Sequence, residues 1–392
     1  MAKLASIQAI PFRQRRDQKD VVGTAGSPTA LEEGAFDYRW SAVYATLYST
    51  CFETALVKIT TDDGLVGWGE AQAPLAPEVA CTIVDRLLRP AIEGHAFSGE
   101  PAEIEYLWDR MYSAMRVRGQ TGGFMLDAIS GIDLALWDLA GKMAGLPVWK
   151  MLGAATAGDL PAYGSGLGGT TTQAKVEHAG QLWQEGFRIF KLFHDRGEAD
   201  LLELIDRLRG EFGSEIRIAV DALWHLRSDG AIEFGRELDR RDILWLEAPL
   251  HPEDVDAHRE LAKAISTPIA LGESYRTRWE IEPFLKDPIL SWFQPDIGRC
   301  GITEGLRMAR RAAEVGAQVV PHVSIAMGPQ IAAALHFATV APRCDLVEYN
   351  PKVFQVANRF AVEPLTLNNA RYQVPQTAGL GVTLRPFDPA TP

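Results

Sequence analysis

The residues best suited to chemistry in this sequence are acidic side chains and one histidine that each end a short apolar run. They are Asp221, Glu247, Glu273, Asp296, His322 and Glu348, at intervals of 26, 26, 23, 26 and 26 residues. A single acidic residue at such a position is commonly a helix cap or a solvated loop residue. Six residues in one register favour a shared site, because capping does not require the same position in every unit.

Three of these residues, Asp221, Glu247 and Glu273, end consecutive runs, so their carboxylates are expected to lie close together. Like charges at short range raise carboxyl pKa values and destabilise a fold. A hard divalent cation removes that repulsion, and Mg²⁺ commonly binds a few carboxylates together with water and substrate oxygens. Zinc is disfavoured, because the set contains no cysteine or paired histidine ligands. We therefore predict a Mg²⁺ site with these three ligands.

Asp296 and His322 end the next two runs. A carboxylate beside an imidazole fixes the tautomer of the ring and raises its basicity. His322 is therefore a candidate general base and acid. The alternative is a histidine that only satisfies hydrogen bonds inside the fold.

These residues require a framework that brings strand ends together. The apolar runs are FRIFKLF (187–193), IRIAVDA (216–222), ILWLEAP (243–249), PIALGES (268–274), WFQPD (292–296), AQVVPHV (317–323) and DLVEY (345–349). Because amphipathic helices separate them, they predict a parallel α/β sheet, and seven or eight such units predict a closed TIM-type barrel. The active site of such a barrel lies at the C-terminal ends of its strands, where the six residues fall.

The chain before these runs predicts a smaller unit. Strand-like segments within residues 3–70 flank the turn signal Asp62-Asp63-Gly64, which indicates an antiparallel hairpin. A polar, Gly-rich loop covers about 13–40, and loops of that length are usually functional or mobile. Apolar residues at steps of three and four predict a core-facing helix over 125–145.

Composition excludes several classes of function. The chain has 392 residues with a net charge of -12, which gives no electrostatic footprint for nucleic acid or an anionic membrane surface. The four cysteines are widely spaced, as is typical of a reducing compartment. No signal peptide and no apolar run of about 20 residues is recognisable. We expect a cytoplasmic protein that binds a small molecule, with no nucleic-acid or membrane partner.

Several motifs together resemble the mandelate racemase subgroup of the mandelate racemase / muconate lactonizing enzyme family, in the enolase superfamily. They are ISGIDLALWDLAGKMAGLPVWKMLG, AVDA, LEAP, GES, QPD and PHVS, and they extend over most of the chain. The resemblance implies an α+β capping domain on a modified (β/α)7β barrel, one Mg²⁺ and an enediolate intermediate. It also implies a symmetric homo-oligomer and an acid-sugar dehydratase, a carbon-oxygen lyase (hydro-lyase), as the nearest functional type.

The resemblance also divides the chain into domains. Residues 1–125 are the predicted capping domain, whose loop at about 13–40 is implied to close over the substrate. Residues 126–355 are the predicted catalytic barrel, and residues 356–392 are predicted to return to the capping domain.

The sequence departs from the family on the second barrel strand. Many relatives carry Lys-x-Lys there, and the second lysine acts as a base on the face opposite the histidine. Here Lys191 occupies the first position and Phe193 the second. Residues i and i+2 share a strand face, so both should point inward, and Phe193 cannot accept a proton. Leu223 likewise stands where many relatives carry a polar residue.

With one base left, β-elimination is the simplest outcome. Lys191 would support the substrate carboxylate, and His322 would remove the α-proton and return it to the departing 3-hydroxyl, which gives a 2-keto-3-deoxy acid. Glu348 would hydrogen-bond the protonated carboxylate oxygen of the enediolate. The further candidate substrate-binding residues are Tyr38, His194 and His225, each of which is alternatively a structural or surface group.

Two alternatives stay open. One is a racemase, epimerase or cycloisomerase on the same scaffold, with another group in place of the missing lysine. The other is a non-catalytic metal-binding barrel. The identity of the sugar acid does not follow from the sequence.

Overall fold

The structure is a computed structural model that describes residues 2–15, 37–42, 45–286 and 289–387. Its strands are β1 (Ala2–Arg15), β2 (Tyr38–Ser41), β3 (Thr46–Ser49), β4 (Cys51–Thr61), β5 (Val66–Ala71), β6 (Ala96–Phe97), β7 (Leu160–Ser165), β8 (Ile189–Phe193), β9 (Arg217–Asp221), β10 (Leu246–Glu247), β11 (Ile269–Leu271), β12 (Trp292–Phe293), β13 (Gln318–Val319), β14 (Val347–Tyr349), β15 (Leu367–Asn368) and β16 (Arg371–Tyr372).

Its α-helices are α1 (Pro77–Ile83), α2 (Arg89–Ile92), α3 (Pro101–Arg116), α4 (Phe124–Ala144), α5 (Val148–Met151), α6 (Thr172–Gln184), α7 (Glu198–Phe212), α8 (Ser228–Asp239), α9 (Val255–Ala264), α10 (Arg278–Leu285), α11 (Ile297–Glu314), α12 (Pro329–Val340) and α13 (Pro351–Phe360). A π-helical segment (Val84–Leu88) joins α1 to α2.

The first part of the chain forms an antiparallel sheet with the strand order β5-β4-β1-β6. The predicted hairpin is confirmed, because β4 and β5 pair antiparallel on either side of the turn that contains Gly64. Gly64 has a φ of 89°, a conformation that glycine adopts without steric cost.

Helix α4 connects this sheet to the rest of the molecule. The helix predicted over 125–145 is confirmed, and Gly145 ends it in the left-handed conformation with a φ of 66°. A Cβ atom on Gly69 of β5 would fall 2.0 Å from the carbonyl oxygen of Gly131, so only glycine permits this approach. On another side α4 packs against α11. The domain boundary predicted at 125/126 falls at the start of α4 and stays a prediction.

The following part of the chain alternates strands and helices, as predicted. Eight strands are parallel neighbours in the order β14-β7-β8-β9-β10-β11-β12-β13. This is the strand order of the predicted barrel, although the ladders of the described residues do not include a pairing of β13 with β14. The predicted runs omitted β7, because its sequence LPAYGS carries Pro and Gly instead of a continuous apolar stretch.

The C-terminal segment begins with α13, which the sequence analysis did not predict. Strand β16 then pairs antiparallel with β7. Phe360 and Phe387 pack edge-to-face on Phe12 of β1, with ring centroids 4.8 and 5.3 Å from it. The segment therefore contacts the antiparallel sheet.

The long loop predicted at about 13–40 lies largely outside the described residues. β1 extends into its start and β2 begins near its end, and residues 16–36 between them belong to the undescribed part of the chain. Across the ranges that the structure describes, no helix combines the length and apolarity needed to cross a bilayer.

Candidate active site

The strand ends bring the predicted site residues together. Asp221 on β9 pairs directly with Glu247 on β10, and Asp296 forms a parallel bridge with His322. Glu273 lies two residues beyond the end of β11. The recurring interval in the sequence thus corresponds to neighbouring positions on adjacent strands, and the side chains converge on one end of the sheet.

A pocket of about 530 Å³ lies over these strand ends. Part of its wall comes from residues 45–49, Phe52 and Pro74-Leu75 of the first domain. The lining residues from the barrel side are Ser165, Lys191, Phe193, Asp221, Leu223, Trp224, His225, His251, Pro252, Glu273, Ser274, Arg299, His322, Val323, Ser324, Ile325, Glu348, Asn350, Lys352 and Val353. A more open concavity of about 690 Å³ near Asp63 and Lys142 contains none of the predicted site residues.

Lys191 lies among the carboxylates. Its Nζ is 2.6 Å from Glu247 Oε1, 2.9 Å from Glu348 Oε1 and 3.6 Å from Asp221 Oδ2. Burial lowers the pKa of Lys191, but Glu247 and Glu348 outweigh burial and raise that pKa well above its ordinary value. Lys191 is therefore a fixed positive charge and not a base at neutral pH.

The carboxylates of Asp221, Glu247 and Glu273 form a donor set that suits a hard cation. Burial, and after it the charge of Glu247, raises the pKa of Asp221 well above its ordinary value, which reflects crowded negative charge. Within the described ranges, no three ligand-type side chains already surround one ion position. Lys191 and His322 instead contact the carboxylate oxygens. The chemistry of the set fits Mg²⁺, and the assignment stays a prediction.

His322 is held between two carboxylates. Its Nδ1 is 2.8 Å from Asp296 Oδ2 and its Nε2 is 2.9 Å from Glu273 Oε2. Burial lowers the pKa of His322, but Glu273 outweighs burial, so the pKa lies well above its ordinary value. Asp296 is fixed in turn, because its Oδ1 accepts hydrogen bonds from Gly298 N (2.9 Å) and Gln330 Nε2 (3.0 Å). Nδ1 thus faces Asp296, and Nε2 faces the pocket.

Each carboxylate of the predicted metal set has one oxygen bound by an N–H group. The bonds run from Leu223 N to Asp221 Oδ1 (2.9 Å), from Trp224 Nε1 to Glu273 Oε1 (2.7 Å), and from Trp245 Nε1 (3.0 Å) and Gln294 Nε2 (2.6 Å) to Glu247 Oε2. The sequence analysis missed Trp224, Trp245 and Gln294. Their closeness in sequence to predicted site residues was an available signal, since Gln294 begins the QPD motif.

The prediction that Phe193 faces the pocket is confirmed. Phe193 pairs with Asp221 in the ladder between β8 and β9, and its ring centroid is 5.7 Å from Lys191 Nζ. Leu223 also lines the pocket. The position of the second lysine in many relatives is therefore filled by an aromatic ring, and His322 contacts the carboxylate of Asp296.

The three further candidates have different locations. Tyr38 and His194 are not among the described residues that line the pocket, whereas His225 is. The Tyr38 hydroxyl donates to Glu53 Oε2 at 2.9 Å within the first domain. The His194 ring packs edge-on against Phe234, with centroids 5.4 Å apart. Burial lowers the pKa of both His194 and His225, so both are neutral at neutral pH.

Other polar residues at the rim were also missed. Gln72 of the first domain accepts a hydrogen bond from Arg299 Nε and donates one to Ser324 Oγ. Ser165, at the end of β7, lines the pocket, and its hydroxyl lowers the pKa of Glu348. The search for polar residues at strand ends would have found Ser165 if β7 had been predicted. Gln72 could not be found in this way, because its partner Ser324 lies 252 residues away in the chain.

Two family models and several known proteins match most of this chain. Residues 45–153 match the family described as "Mandelate racemase / muconate lactonizing enzyme, N-terminal domain", and residues 174–388 match "Enolase C-terminal domain-like". A D-galactarolactone cycloisomerase of Agrobacterium fabrum is 33% identical over 84% of this chain and 88% of its own length. An arabinonate dehydratase of Saccharolobus solfataricus is 30% identical over 90% of this chain and 94% of its own length.

A solved structure shows the same architecture. A member of the enolase superfamily from Agrobacterium tumefaciens superimposes with a TM-score of 0.91 at 31% identity, over 98% of this chain and 97% of that one. Such neighbours have an N-terminal capping domain and a C-terminal TIM barrel. Dehydratases among the relatives group this enzyme with the hydro-lyases. The chain belongs to the mandelate racemase / muconate lactonizing enzyme family of the enolase superfamily.

Proposed function

We propose that the protein is a Mg²⁺-dependent acid-sugar dehydratase that converts a sugar acid to a 2-keto-3-deoxy acid. The observation that carries the proposal is the contact of His322 Nδ1 with Asp296 Oδ2 (2.8 Å) in the pocket wall, together with Phe193 at the position where many relatives carry a second lysine. Relatives named arabinonate dehydratase and D-galactonate dehydratase support dehydration of a sugar acid.

Asp221, Glu247 and Glu273 are the residues that would hold the metal. When bound, Mg²⁺ supplies a Lewis acid for the negative charge that develops on the substrate carboxylate. Lys191 supplies a further positive charge, and its contacts with Glu247 and Glu348 keep it protonated while the carboxylate binds. Preorganised charges in a buried site act strongly on a developing anion.

His322 would remove the α-proton. The Nδ1–H group donates to Asp296, which fixes the tautomer and presents Nε2 to the pocket. In the structure Nε2 contacts Glu273, so His322 must release the proton shared with Glu273 before it can accept one from the substrate. The protonated ring then returns the proton to the departing 3-hydroxyl. The proton moves from the α-carbon through Nε2 to the leaving oxygen as the C3–O bond breaks and a C2=C3 double bond forms. The products are water and an enol, which tautomerises to the 2-keto-3-deoxy acid.

Glu348 would hydrogen-bond the protonated carboxylate oxygen of the intermediate. Burial raises its pKa, but Lys191 and His322 outweigh burial and lower the pKa below its ordinary value, so Glu348 is an acceptor. Val323 N binds its second oxygen at 2.7 Å, which leaves Oε1 toward Lys191 and the pocket. Polar lining residues such as His225, Ser324 and Asn350 provide donors and acceptors for sugar hydroxyls.

The scaffold of the proposal is a closed (β/α)7β barrel in a symmetric homo-oligomer. The hydrogen bond from Val323 N, just beyond β13, to Glu348 on β14 supports closure between these two strands. The expectation of an oligomer comes from the family.

A cycloisomerase is the second candidate, because a relative of that name covers 84% of the chain. Opening or closing a lactone by elimination also needs one base, so Phe193 does not separate the two reactions. The two reactions differ in whether the substrate is the open-chain acid or its lactone. A dehydratase yields a 2-keto acid from an open-chain sugar acid, whereas a cycloisomerase yields one from the lactone only.

The proposal is tested with a library of aldonic and aldaric acids and their lactones, in the presence of Mg²⁺, by assay for 2-keto acids. We expect at least one open-chain acid to react, and His322→Asn to lower kcat/KM for it by about a hundredfold or more. His194→Asn, outside the pocket lining, is the matched control and should change kcat/KM little. Full activity of the His322→Asn enzyme would contradict the assigned base. Reaction of lactones alone would favour the cycloisomerase, and no reaction would favour a non-catalytic barrel.

A further inference from the structure

The predicted metal ligands share a feature that the proposed function does not require: one oxygen of each accepts from a neutral N–H donor, whereas the other oxygen faces Lys191 or His322. We propose that Trp224, Trp245 and Gln294 are positioning residues that make Glu273 and Glu247 one-oxygen ligands, as the backbone N–H of Leu223 does for Asp221, and thereby select Mg²⁺ over Ca²⁺. The inference rests on the proposed metal site and deepens it.

Glu273 is constrained from the pocket side. Trp224 Nε1 donates to its Oε1 at 2.7 Å, and its other oxygen, Oε2, faces His322. An indole N–H can only donate a hydrogen bond, so Trp224 requires an acceptor at the position of Oε1 and fixes that oxygen of Glu273 there. Oε2 is the oxygen left for a cation.

Two side-chain donors constrain Glu247. Trp245 is fully buried, and its Nε1 lies 3.0 Å from Glu247 Oε2, which also accepts from Gln294 Nε2 at 2.6 Å. The remaining oxygen, Oε1, faces Lys191. Two donors on one oxygen hold the carboxylate against rotation, and they leave Oε1 as the outward ligand atom.

Asp221 completes the pattern through the backbone. Leu223 N donates to Oδ1 at 2.9 Å, and Oδ2 faces Lys191. Leu223 and Trp224 have φ values of 56° and 62°, which are costly for residues that carry side chains. This strained turn directs one backbone N–H to Asp221 and one indole N–H to Glu273. The strained turn therefore orients two of the three predicted ligands, Asp221 and Glu273.

Ligands with one available oxygen discriminate between metals. Mg²⁺ requires near-octahedral geometry with short bonds, whereas Ca²⁺ takes six to eight oxygens and often uses both oxygens of a carboxylate. Three one-oxygen carboxylates leave three positions of an octahedron for water and substrate oxygens. A carboxylate could bind Ca²⁺ through both oxygens only with loss of its hydrogen bond from Leu223 N, Trp224, or Trp245 and Gln294.

The test measures binding of Mg²⁺ and of Ca²⁺ to the full chain by titration calorimetry, without substrate. Trp224→Phe keeps the ring and removes the donor, and Gln294→Leu removes a donor to Glu247. In each, we expect the affinity for Mg²⁺ to fall about tenfold, the usual loss when a residue that orients a metal ligand is replaced. The affinity for Ca²⁺ should hold or rise, so the ratio of the two dissociation constants shifts about tenfold toward Ca²⁺.

Trp292→Phe is the matched control. Its ring packs against Trp245 at 4.9 Å, but it donates to none of the three carboxylates in the described part of the chain. Circular dichroism identifies folded variants. An unchanged ratio of the Mg²⁺ and Ca²⁺ dissociation constants in a folded Trp224→Phe or Gln294→Leu protein would overturn this inference but not the proposed metal site. An equal shift of the ratio in Trp292→Phe would have the same meaning. A wild-type chain that binds no Mg²⁺ overturns the proposed metal site as well.

Discussion

At the scale of single residues, we propose that position 193 decides between racemisation and elimination. Phe193 lies opposite Asp221 in the ladder, next to the Lys191 ammonium and inside the pocket. A base at this position would reach the substrate face opposite His322, which is what racemisation requires. We propose that the aromatic ring leaves proton transfer to one face, so that loss of a leaving group is the reaction that His322 completes.

This argument predicts a new activity for Phe193→Lys. The neighbouring Lys191 charge should lower the pKa of the introduced amine and allow it to act as a base. In D₂O, we expect recovered substrate with inverted configuration to gain deuterium at least about tenfold faster than with Phe193→Leu. Proton NMR and chiral chromatography measure the exchange. Equal exchange in the Leu variant would show that position 193 does not limit the reaction.

At the scale of elements, the C-terminal segment is tied to the barrel through one buried histidine. His336 on α12 accepts a hydrogen bond from Trp149 N on α5, at 3.2 Å, and its Nε2 lies 3.2 Å from Leu380 O. One ring nitrogen must therefore accept and the other donate, which only the neutral ring can do. Burial lowers the pKa of His336 to about 4.

The pH dependence of stability follows from this shift. The folded pKa lies below the unfolded value of about 6.5, so the unfolded chain binds the proton first as the pH falls. The contribution of neutral His336 to the free energy of unfolding is complete above the unfolded pKa and is lost as the pH falls toward the folded pKa. The loss is about 3 kcal/mol between pH 7 and pH 4. Urea unfolding of wild type and His336→Gln at both pH values measures it. We expect wild type to lose about that much more stability than the variant, and parallel losses would refute the assignment.

At the scale of the whole molecule, the pocket exists because the first domain covers the strand ends. Its side chains come from both parts, so their relative position decides the geometry of the site. A main connection is the buried Asp127 on α4, whose carboxylate accepts from Arg276 Nε at 2.7 Å. Arg276 is three residues beyond Glu273, so this ion pair also anchors the loop that carries a predicted metal ligand.

Asp127→Asn should therefore lower both stability and activity. Removal of one partner leaves the Arg276 charge mostly buried without compensation, which should reduce the free energy of unfolding by about 2 to 3 kcal/mol. Chemical unfolding and kcat/KM are the measurements. The matched control is Glu282→Gln, which breaks the half-exposed pair with Arg311 (3.0 Å) and should leave the unfolding midpoint unchanged. Equal effects of the two substitutions would remove the special role of the Asp127–Arg276 pair.

Much of the arrangement was predictable from the sequence alone. Parallel strands repeat at a nearly constant interval, so residues one repeat apart become lateral neighbours, as Asp221 with Glu247 and Asp296 with His322 show. Strand periodicity also placed Phe193 beside Lys191 on the pocket face. These features are local or periodic. Backbone geometry and pairing rules therefore determine them before any side chain packs.

The tertiary structure alone decided which atoms face which. The donors from Trp224, Trp245 and Gln294 bind one oxygen of Glu273 and one of Glu247, and the sequence carries no rule for that choice. Tyr38 lies outside the described pocket lining. Gln72 comes from a distant part of the chain and donates to Ser324, which lines the pocket. Such contacts depend on how loops and domains pack, because hydrogen-bond partners far apart in sequence meet only in the folded chain.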